Sequence, residues 1–559
     1  MSSDASTLSL RDAEVGSPPG GRRRLLRPRA GALAKTGEAT WPGAVCLIVI
    51  VLCSLAIVVM AANRPSVLSA TSHAGYFPHW MTGPLGGLIP WFARNTITLK
   101  YAFSGAIVAM YLAYLAGLRY VPRLRPRWAI AAVLAVHFVF FLSPPLALTD
   151  IFNYVNYGRM EIVHHLNPYT TIPILEPHND PSYDLSNWHQ LLSPYGPLFT
   201  MLTFLVVPLG VPLTFWVLKA ALAAASLGTL LLVWKCARML GRDPVKAVLL
   251  VGLNPVVLVW GLGGDHNDFL MVFLIVLGFY LLLKARERMS AALPEATEPG
   301  SAGSAEAATA AGSAQAPTAA GSAQAPAAAE PESARAVPPL RERLREWLLP
   351  VSWLELGAGA TIVTATAVKA SGGVLIPVVL AAMLPSPRRF AQVLLGMALA
   401  AVVIAIASLA AFGLHFPDLS TQSRLVTSVS VPNLIGLALG QGGETETLHK
   451  LLTAALIVSV LLCCLQAYRR RGPITAAGWS SIALLATLSW VLPWYVLWVL
   501  PMAALSSSVR LRRTALIWGV YLIVAWAPAS GQLWNAIGFH PEKTSLGRLH
   551  QRYVKELLN

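Results

Sequence analysis

The sequence predicts an all-α polytopic integral membrane protein, and three observations predict it. Hydrophobic residues fill 55% of the 559 positions and charged residues only 12%, against about 25% charged in ordinary soluble proteins. Apolar runs of roughly 17–25 residues, each long enough to cross ~30 Å of hydrocarbon, recur along the chain. Basic residues gather in the short segments between those runs, as cytoplasmic loops do. The formal charge of +16 is therefore read as membrane orientation and not as nucleic-acid binding.

The elements follow in order. Residues 1–40 carry "GGRRRLLRPRA" without an apolar core, which reads as a disordered basic cytoplasmic tail and not a signal peptide. A first span is expected near 42–62. Others are expected near 99–118, 128–147, 212–235, 246–262, 269–284, 351–368, 372–385, 390–412, 450–468, 475–491, 496–509 and 514–528. That makes about 13 transmembrane helices, several short enough to be tilted, broken or re-entrant. Alternation from a cytoplasmic N-terminus puts thirty of the 42 Lys and Arg residues inside and eleven outside, with Lys219 within a span. The N-terminal transmembrane block is 41–288, with a long outer loop at 148–197. Within 289–340, "AGSAEAATA", "AGSAQAPTA" and "AGSAQAPAA" are consecutive copies of one Ala/Gly/Ser/Pro unit. They lack the large apolar residues a core needs, so this segment is expected to be a disordered cytoplasmic linker. The C-terminal transmembrane block is 341–530, and 531–559 is a C-terminal tail on the outer side. Cys46, Cys53, Cys236, Cys463 and Cys464 lie in or beside apolar runs without ligand spacing, and read as small hydrophobes.

The polar chemistry collects on the expected outer face. "DIFNY…HH", "GGDHND", "VKASGG", "FGLHFPDLSTQSR" and "LPWYVLW" all fall there, with eleven of the twelve histidines. Five segments delivering such groups to one face read as one assembled site. Asp150 ends the third expected span. Its plainer reading is a helix-end carboxylate facing water; its functional reading is a general base. A helix from Asp150 would put Tyr154, Tyr157 and Glu161 on the same face, which suits substrate better than lipid. His164, His165, His178 and His189 show no metal-ligand spacing, and no metal or other cofactor is expected. "SPYGPLF", residues 193–199, reads as a rigid turn into an interfacial or re-entrant helix. In "GGDHND", residues 263–268, Asn267 or Asp268 is placed to cap the next helix. Lys369 and Arg424 can snorkel or bind a phosphate at the membrane surface, with Arg159 a third candidate.

Asp150, Tyr154 and Tyr157-Gly158-Arg159, then Asn167-Pro168-Tyr169, Ser193 to Pro197, and Gly263 to Asp268 together resemble the actinobacterial polyprenol-phosphate-mannose-dependent α-1,6-mannosyltransferases. The resemblance covers nearly all of the membrane portion; the alanine-rich insert departs from it. It implies a GT-C-like glycosyltransferase with outer-face loops and juxtamembrane helices. It also implies transfer of mannose from polyprenyl-phosphate-mannose to a growing α-1,6-mannan of lipomannan type, in the plasma membrane. The partners would be that donor, a lipid-anchored mannan acceptor and membrane lipid, with no nucleic acid. Chemistry fits independently: a phosphate leaves as a stable anion, so one carboxylate suffices for inverting displacement and cations stabilise the leaving group. Asp150 is then the expected catalytic residue, and Arg424, Lys369 and Arg159 the donor-phosphate ligands. Tyr154, Tyr157, Glu161, His164, His165, Tyr195, Asp265, His266, Asn267 and Asp268 are expected to bind sugar or acceptor. The alternatives are a secondary transporter or lipid flippase, or a GT-C enzyme using another lipid-linked sugar such as arabinose. A transporter places ionisable groups near the bilayer midplane, where only Lys219 clearly stands.

Overall fold

The computed structural model describes residues 41–63, 78–89, 95–146, 150–292, 351–470 and 472–558. The basic tail over 1–40 and nearly all of the expected linker over 289–340 lie outside the described residues. Within them the chain is helical and contains no strand.

The N-terminal half begins with α1 (Trp41–Asn63), a short α2 (His79–Thr82), α3 (Thr96–Tyr120) and α4 (Pro126–Phe141). Next come α5 (Asp150–His164), α6 (Pro197–Phe204), α7 (Val211–Met239), α8 (Pro244–Gly252) and α9 (Asp268–Ala292). The second half holds α10 (Trp353–Val368), α11 (Leu375–Met383), α12 (Pro387–Phe412), α13 (Leu419–Ser423), α14 (Val431–Ala438) and α15 (Glu446–Arg470). It ends with α16 (Ile474–Thr487), α17 (Leu500–Leu505), α18 (Val509–Trp526), α19 (Ser530–Ala536) and α20 (Ser545–Leu558). The starts follow local chemistry. Asn95 accepts from the Ile97 and Thr98 amides to cap α3, and Asp243 does the same for Val245 and Lys246 of α8. Prolines without an amide proton open α4, α6, α8 and α12.

Each of the thirteen expected spans falls on helical structure, but they differ in length. Six helices among the described residues are long and apolar enough to cross a membrane, or seven if α18 and α19, bent by 79°, count as one span. Most of the others are apolar helices of 10–17 residues. The reason is local. Asn254-Pro255 stops α8, after which residues Val257–Leu262 form a π-helix. Lys369 adopts an extended backbone between α10 and the 3-10 turn Ala370–Val374. Pro493 opens a further 3-10 turn, Pro493–Trp498. Such irregular turns recur at functional positions in helical proteins.

α1 packs on α3 and α4, α7 on α8 and α9, α9 on α10, α10 on α12, and both α11 and α16 on α15. In a bilayer, helices associate through close backbone approach more than through apolar burial. Gly359 and Gly396 supply that approach: a Cβ on Gly359 would stand 2.0 Å from Val393 O, and one on Gly396 2.0 Å from Leu356 O. The opposite faces of α12 and α15 carry exposed Val402, Val403, Ile406, Leu461 and Leu462, as lipid-facing surfaces do. The start of α5, the loop before α9, the end of α10 and the turn Pro493–Trp498 meet at one end of this bundle. The basic C-terminal half-turns of α9 lie ~27 Å away along its axis, at 1.5 Å per residue from Asp268 to Arg286. The stretch expected as a tail from 531 on holds most of α19 and all of α20. α20 packs Leu557 against Trp188, Leu191 and Leu425, and the Gln190 amide donates to Leu557 O (3.0 Å).

Candidate active site

Asp150 is the first residue of α5, which carries no proline and no glycine before Gly158. The helix ends where His165 turns left-handed (φ 56°) and the Leu166 amide returns to Met160 O (2.8 Å). Although amphipathic by pattern, α5 is enclosed: Ile151 through Gly158 are buried. Tyr154 and Tyr157 do share a face, and both meet the ring of Tyr195, at centroid distances of 4.6 and 5.9 Å. The Tyr195 hydroxyl donates to Asp150 Oδ1 at 3.4 Å. Tyr157 turns its own hydroxyl to Leu191 O (2.7 Å).

The "SPYGP" turn is held by the "NPY" motif. The Ser193 amide donates to Pro168 O (2.9 Å), and the Tyr169 hydroxyl donates to Tyr195 O (2.9 Å). Asn167 donates to Phe412 O at the end of α12 (2.8 Å). Gly196 lies against the end of α10: its amide donates to Val368 O (3.2 Å), and a Cβ there would stand 2.1 Å from Ala367 O. That contact sets Tyr195 beside the residue that follows, Lys369.

The "GGDHND" loop supplies the opposite wall. Asp265 has φ 57°, a left-handed conformation uncommon outside glycine but tolerated by Asp. Its carboxylate reaches into the bundle to Lys219 Nζ (3.0 Å), which also donates to Ser143 O (2.9 Å). Burial raises the Asp265 carboxyl above its ordinary value, against the pull of Lys219. This pair fixes the loop from below and turns His266 toward Asp150. His266 Nδ1 stands 3.0 Å from Asp150 Oδ2, at ion-pair distance but outside hydrogen-bond alignment. The imidazole lies flat on Trp494, with centroids 3.4 Å apart and planes at 9°. The Asn267 amide N–H donates to the Tyr154 hydroxyl (3.1 Å). Neither Asn267 nor Asp268 caps α9 with its side chain. Asp268 is drawn instead to Lys369 Nζ (2.7 Å) and Trp498 Nε1 (2.5 Å). Lys369 Nζ also stands 4.9 and 5.6 Å from the Tyr495 and Trp498 ring centroids.

Two features of this cluster bear on chemistry. Burial alone would raise the Asp150 carboxyl; the contact and charge of His266, the charge of Lys369 and the Tyr195 hydroxyl outweigh it and hold the group below its ordinary value. Asp150 is thus ionised at neutral pH. Second, both ring nitrogens of His266 and both side-chain polar atoms of Asn267 are fully buried without a hydrogen-bond partner among the described residues. Leaving a buried polar group unsatisfied costs about 1–3 kcal/mol, which His266 Nδ1 offsets through its charge contact with Asp150.

The remaining expected site residues lie apart from this cluster. Arg159 grips Asp180 through Nε (2.9 Å) and Nη2 (2.8 Å), and His164 Nε2 meets the same carboxylate (2.7 Å). Burial works to raise the Asp180 carboxyl, but Arg159, Ser182 and His164 together hold it well below the ordinary carboxylate range. Glu161 is raised by burial, opposed by the charge of His165, and its Oε2 is unpartnered. Glu176 accepts from Asn156, and burial pushes its carboxyl up to about 8. Arg424 follows α13 and is exposed, next to Leu425 of the cluster under α20. Sequence reasoning passed over Trp494, Tyr495 and Trp498 individually, although "LPWYVLW" marked their segment; it also passed over Asp180 and Glu176, which follow no local pattern.

A family profile described as alpha-(1->6)-mannopyranosyltransferase, N-terminal domain, matches residues 40–385, and one described as MptB C-terminal domain matches residues 426–541. Alpha-(1->6)-mannopyranosyltransferase A of Mycobacterium tuberculosis is 25% identical, over 69% of this chain and 67% of its own length. A second alpha-(1->6)-mannopyranosyltransferase of that organism is 28% identical, over 67% of this chain and 65% of its own. Alpha-(1->6)-mannopyranosyltransferase A of Corynebacterium glutamicum is 28% identical over 26% of this chain and 30% of its own. The chain spans about two thirds of the length of the two mycobacterial relatives. No solved structure matches it.

Proposed function

The chain belongs to the alpha-(1->6)-mannopyranosyltransferase family, and from that premise we propose that it is an inverting mannosyltransferase of GT-C type. It takes mannose from polyprenyl-phosphate-mannose and extends an α-1,6-mannan carried on a lipid anchor. The reaction occurs on the outer face of the plasma membrane, and no metal takes part. The observation that carries this reading is the convergence of one ionised carboxylate, Asp150, with one ammonium, Lys369, at the end of the bundle.

The chemistry follows from those two groups. An acceptor hydroxyl oxygen attacks the anomeric carbon, and Asp150 takes the hydroxyl proton. The bond from the anomeric carbon to the phosphate oxygen breaks, and the electron pair leaves with polyprenyl phosphate. Attack opposite the leaving group turns a β-linked donor into an α-linked product. A carboxylate held this low is a weak base, so proton transfer accompanies bond cleavage and does not precede it. Lys369 offsets the charge that grows on the phosphate. His266 orients Asp150 through the contact of its Nδ1 with Oδ2. Arg424 is left out because it lies apart from this centre, beside Leu425 under α20. Arg159 is left out because it lies apart from Asp150, gripping Asp180, whereas the charge of Lys369 acts on Asp150.

Incubating the purified chain with polyprenyl-phosphate-mannose and a short α-1,6-mannoside tests the reading. Elongated mannoside is expected, also in EDTA. Transport or flipping of the lipid without transfer would replace it with the transporter alternative.

A further inference from the structure

A cleft of about 510 Å³ opens where loop 426–429 meets the end of α18 and the bent segment α19. It lies at the same end of the bundle as Asp150, since it shares Trp490 with the segment that leads to Trp494. Four aromatic side chains line it from separate places: Trp490 after α16, Trp526 ending α18, Trp534 in α19, and Phe539 beyond. Asn535 and Glu542 add an amide and a carboxylate to the wall. Tryptophans at a membrane surface ordinarily form a belt toward lipid headgroups. Here they border one shared cavity, each partly buried. Flat rings edged by hydrogen-bonding groups suit a pyranose, which has an apolar C–H face and a rim of hydroxyls. No Lys or Arg among the described residues lines the cleft, so it is poorly made for an anionic headgroup.

The cleft lies close to the candidate active site along the chain. Trp490 precedes by four residues Trp494, the ring on which His266 lies. At ~3.3–3.6 Å per residue the two rings' backbones are within ~14 Å. The intervening segment is pinned at its start: the Thr427 amide donates to Ser489 O (2.9 Å), and Trp188 meets Trp490 edge-on at 6.3 Å.

We propose that this cleft is a saccharide subsite that holds the acceptor chain a few residues from its growing end, while that end reaches Asp150. The proposal rests on the mannosyltransferase reading and adds to it where chain length is sensed. A short acceptor reaches the reacting centre without touching the cleft; a long one fills both.

The test compares a disaccharide with an octasaccharide of α-1,6-linked mannose, using the full chain in nanodiscs. Trp534→Ala and Asn535→Ala are expected to raise KM for the octasaccharide about tenfold, with kcat and the disaccharide KM unchanged. Trp534→Phe should restore most of the difference. Asn535 is exposed, so its variant keeps the test alive where Trp534→Ala fails to fold. Unchanged octasaccharide KM in the folded variants overturns the proposal. A raised KM for the lipid donor alone also overturns it, and gives the cleft to the prenyl chain. If wild type transfers no mannose, the functional reading has failed separately. Calorimetric titration of the octasaccharide into wild type and Asn535→Ala then decides the cleft: lost binding in the variant supports it, and equal or absent binding in both overturns it.

Discussion

Replacing Lys369 by Met tests the cation on which donor chemistry depends. Its Nζ lies 2.7 Å from Asp268 Oδ2, over two aromatic rings, with the side chain 21% exposed. At ~4 Å and an effective dielectric of ~20, such a charge interacts with a phosphate by about 4 kcal/mol. Removing one preorganised donor from a developing anion typically costs ~10²–10³ in rate. The substitution has a second effect, however. Asp268 is fully buried, and breaking a buried pair by deleting one partner destabilises by about 3–5 kcal/mol.

The double variant Asp268→Asn/Lys369→Met separates the two effects. The amide still accepts from Trp498 Nε1, and no carboxylate is stranded. The assay is kcat/KM for polyprenyl-phosphate-mannose at fixed acceptor, with thermal inactivation measured beside it. Lys369→Met should lose both stability and ~10²–10³ in kcat/KM. The double variant should regain stability and not turnover, and Lys369→Arg should retain part of the activity. A double variant that folds and turns over like wild type would refute the phosphate role and leave Lys369 a structural partner of Asp268.

Three further outcomes follow from the surrounding geometry. Gly196→Ala places a Cβ against Ala367 O, which forces the Tyr195 turn away from Lys369; displacements of that size cost up to ~10²-fold in rate, and intact turnover would show that the turn does not position the site. Glu176 is protonated in the folded chain up to about 8 against an ordinary 4.5, so the stability it contributes is full below about 4.5 and lost as pH rises through about 8. Glu176→Gln should therefore inactivate at higher temperature than wild type near pH 9 and at the same temperature near pH 4, and a pH-independent difference would contradict this. Arg159→Met should lower thermal stability by stranding the buried Asp180 while leaving the donor KM unchanged; a raised donor KM in folded protein would return Arg159 to the phosphate site.

The geometry of the candidate site was readable where its spacing is local. The Asp150-Tyr154-Tyr157 register and the "GGDHND" loop could be recognised because their residues stand at fixed short spacings, and both rings do meet Tyr195. The partners of those residues were not readable. Asp265 joins Lys219 across 46 positions, Asp268 joins Trp498 across 230, and Arg159 joins Asp180 in a loop without periodicity. Only tertiary packing decides whether an outer arginine meets a ligand or a carboxylate. Span positions were legible from apolar runs, but their lengths were not. Asn254-Pro255 breaks the helix inside the stretch read as one span over 246–262, while Lys369 and Pro493 fall between expected spans and shorten the helices on either side.

Asp150→Asn reaches the central claim most directly. Asn keeps the size of the side chain and can still accept from Tyr195, so the chain should insert, fold and bind donor. Without the carboxylate nothing takes the acceptor proton, and mannose transfer should slow by at least ~10², about 3 kcal/mol or more in barrier. The measurement is single-turnover transfer from polyprenyl-phosphate-mannose with donor binding followed in parallel. Retained turnover in Asp150→Asn, with loss in Asp265→Asn or Glu161→Gln, would contradict the account and give the base to the carboxylate whose removal silenced the reaction.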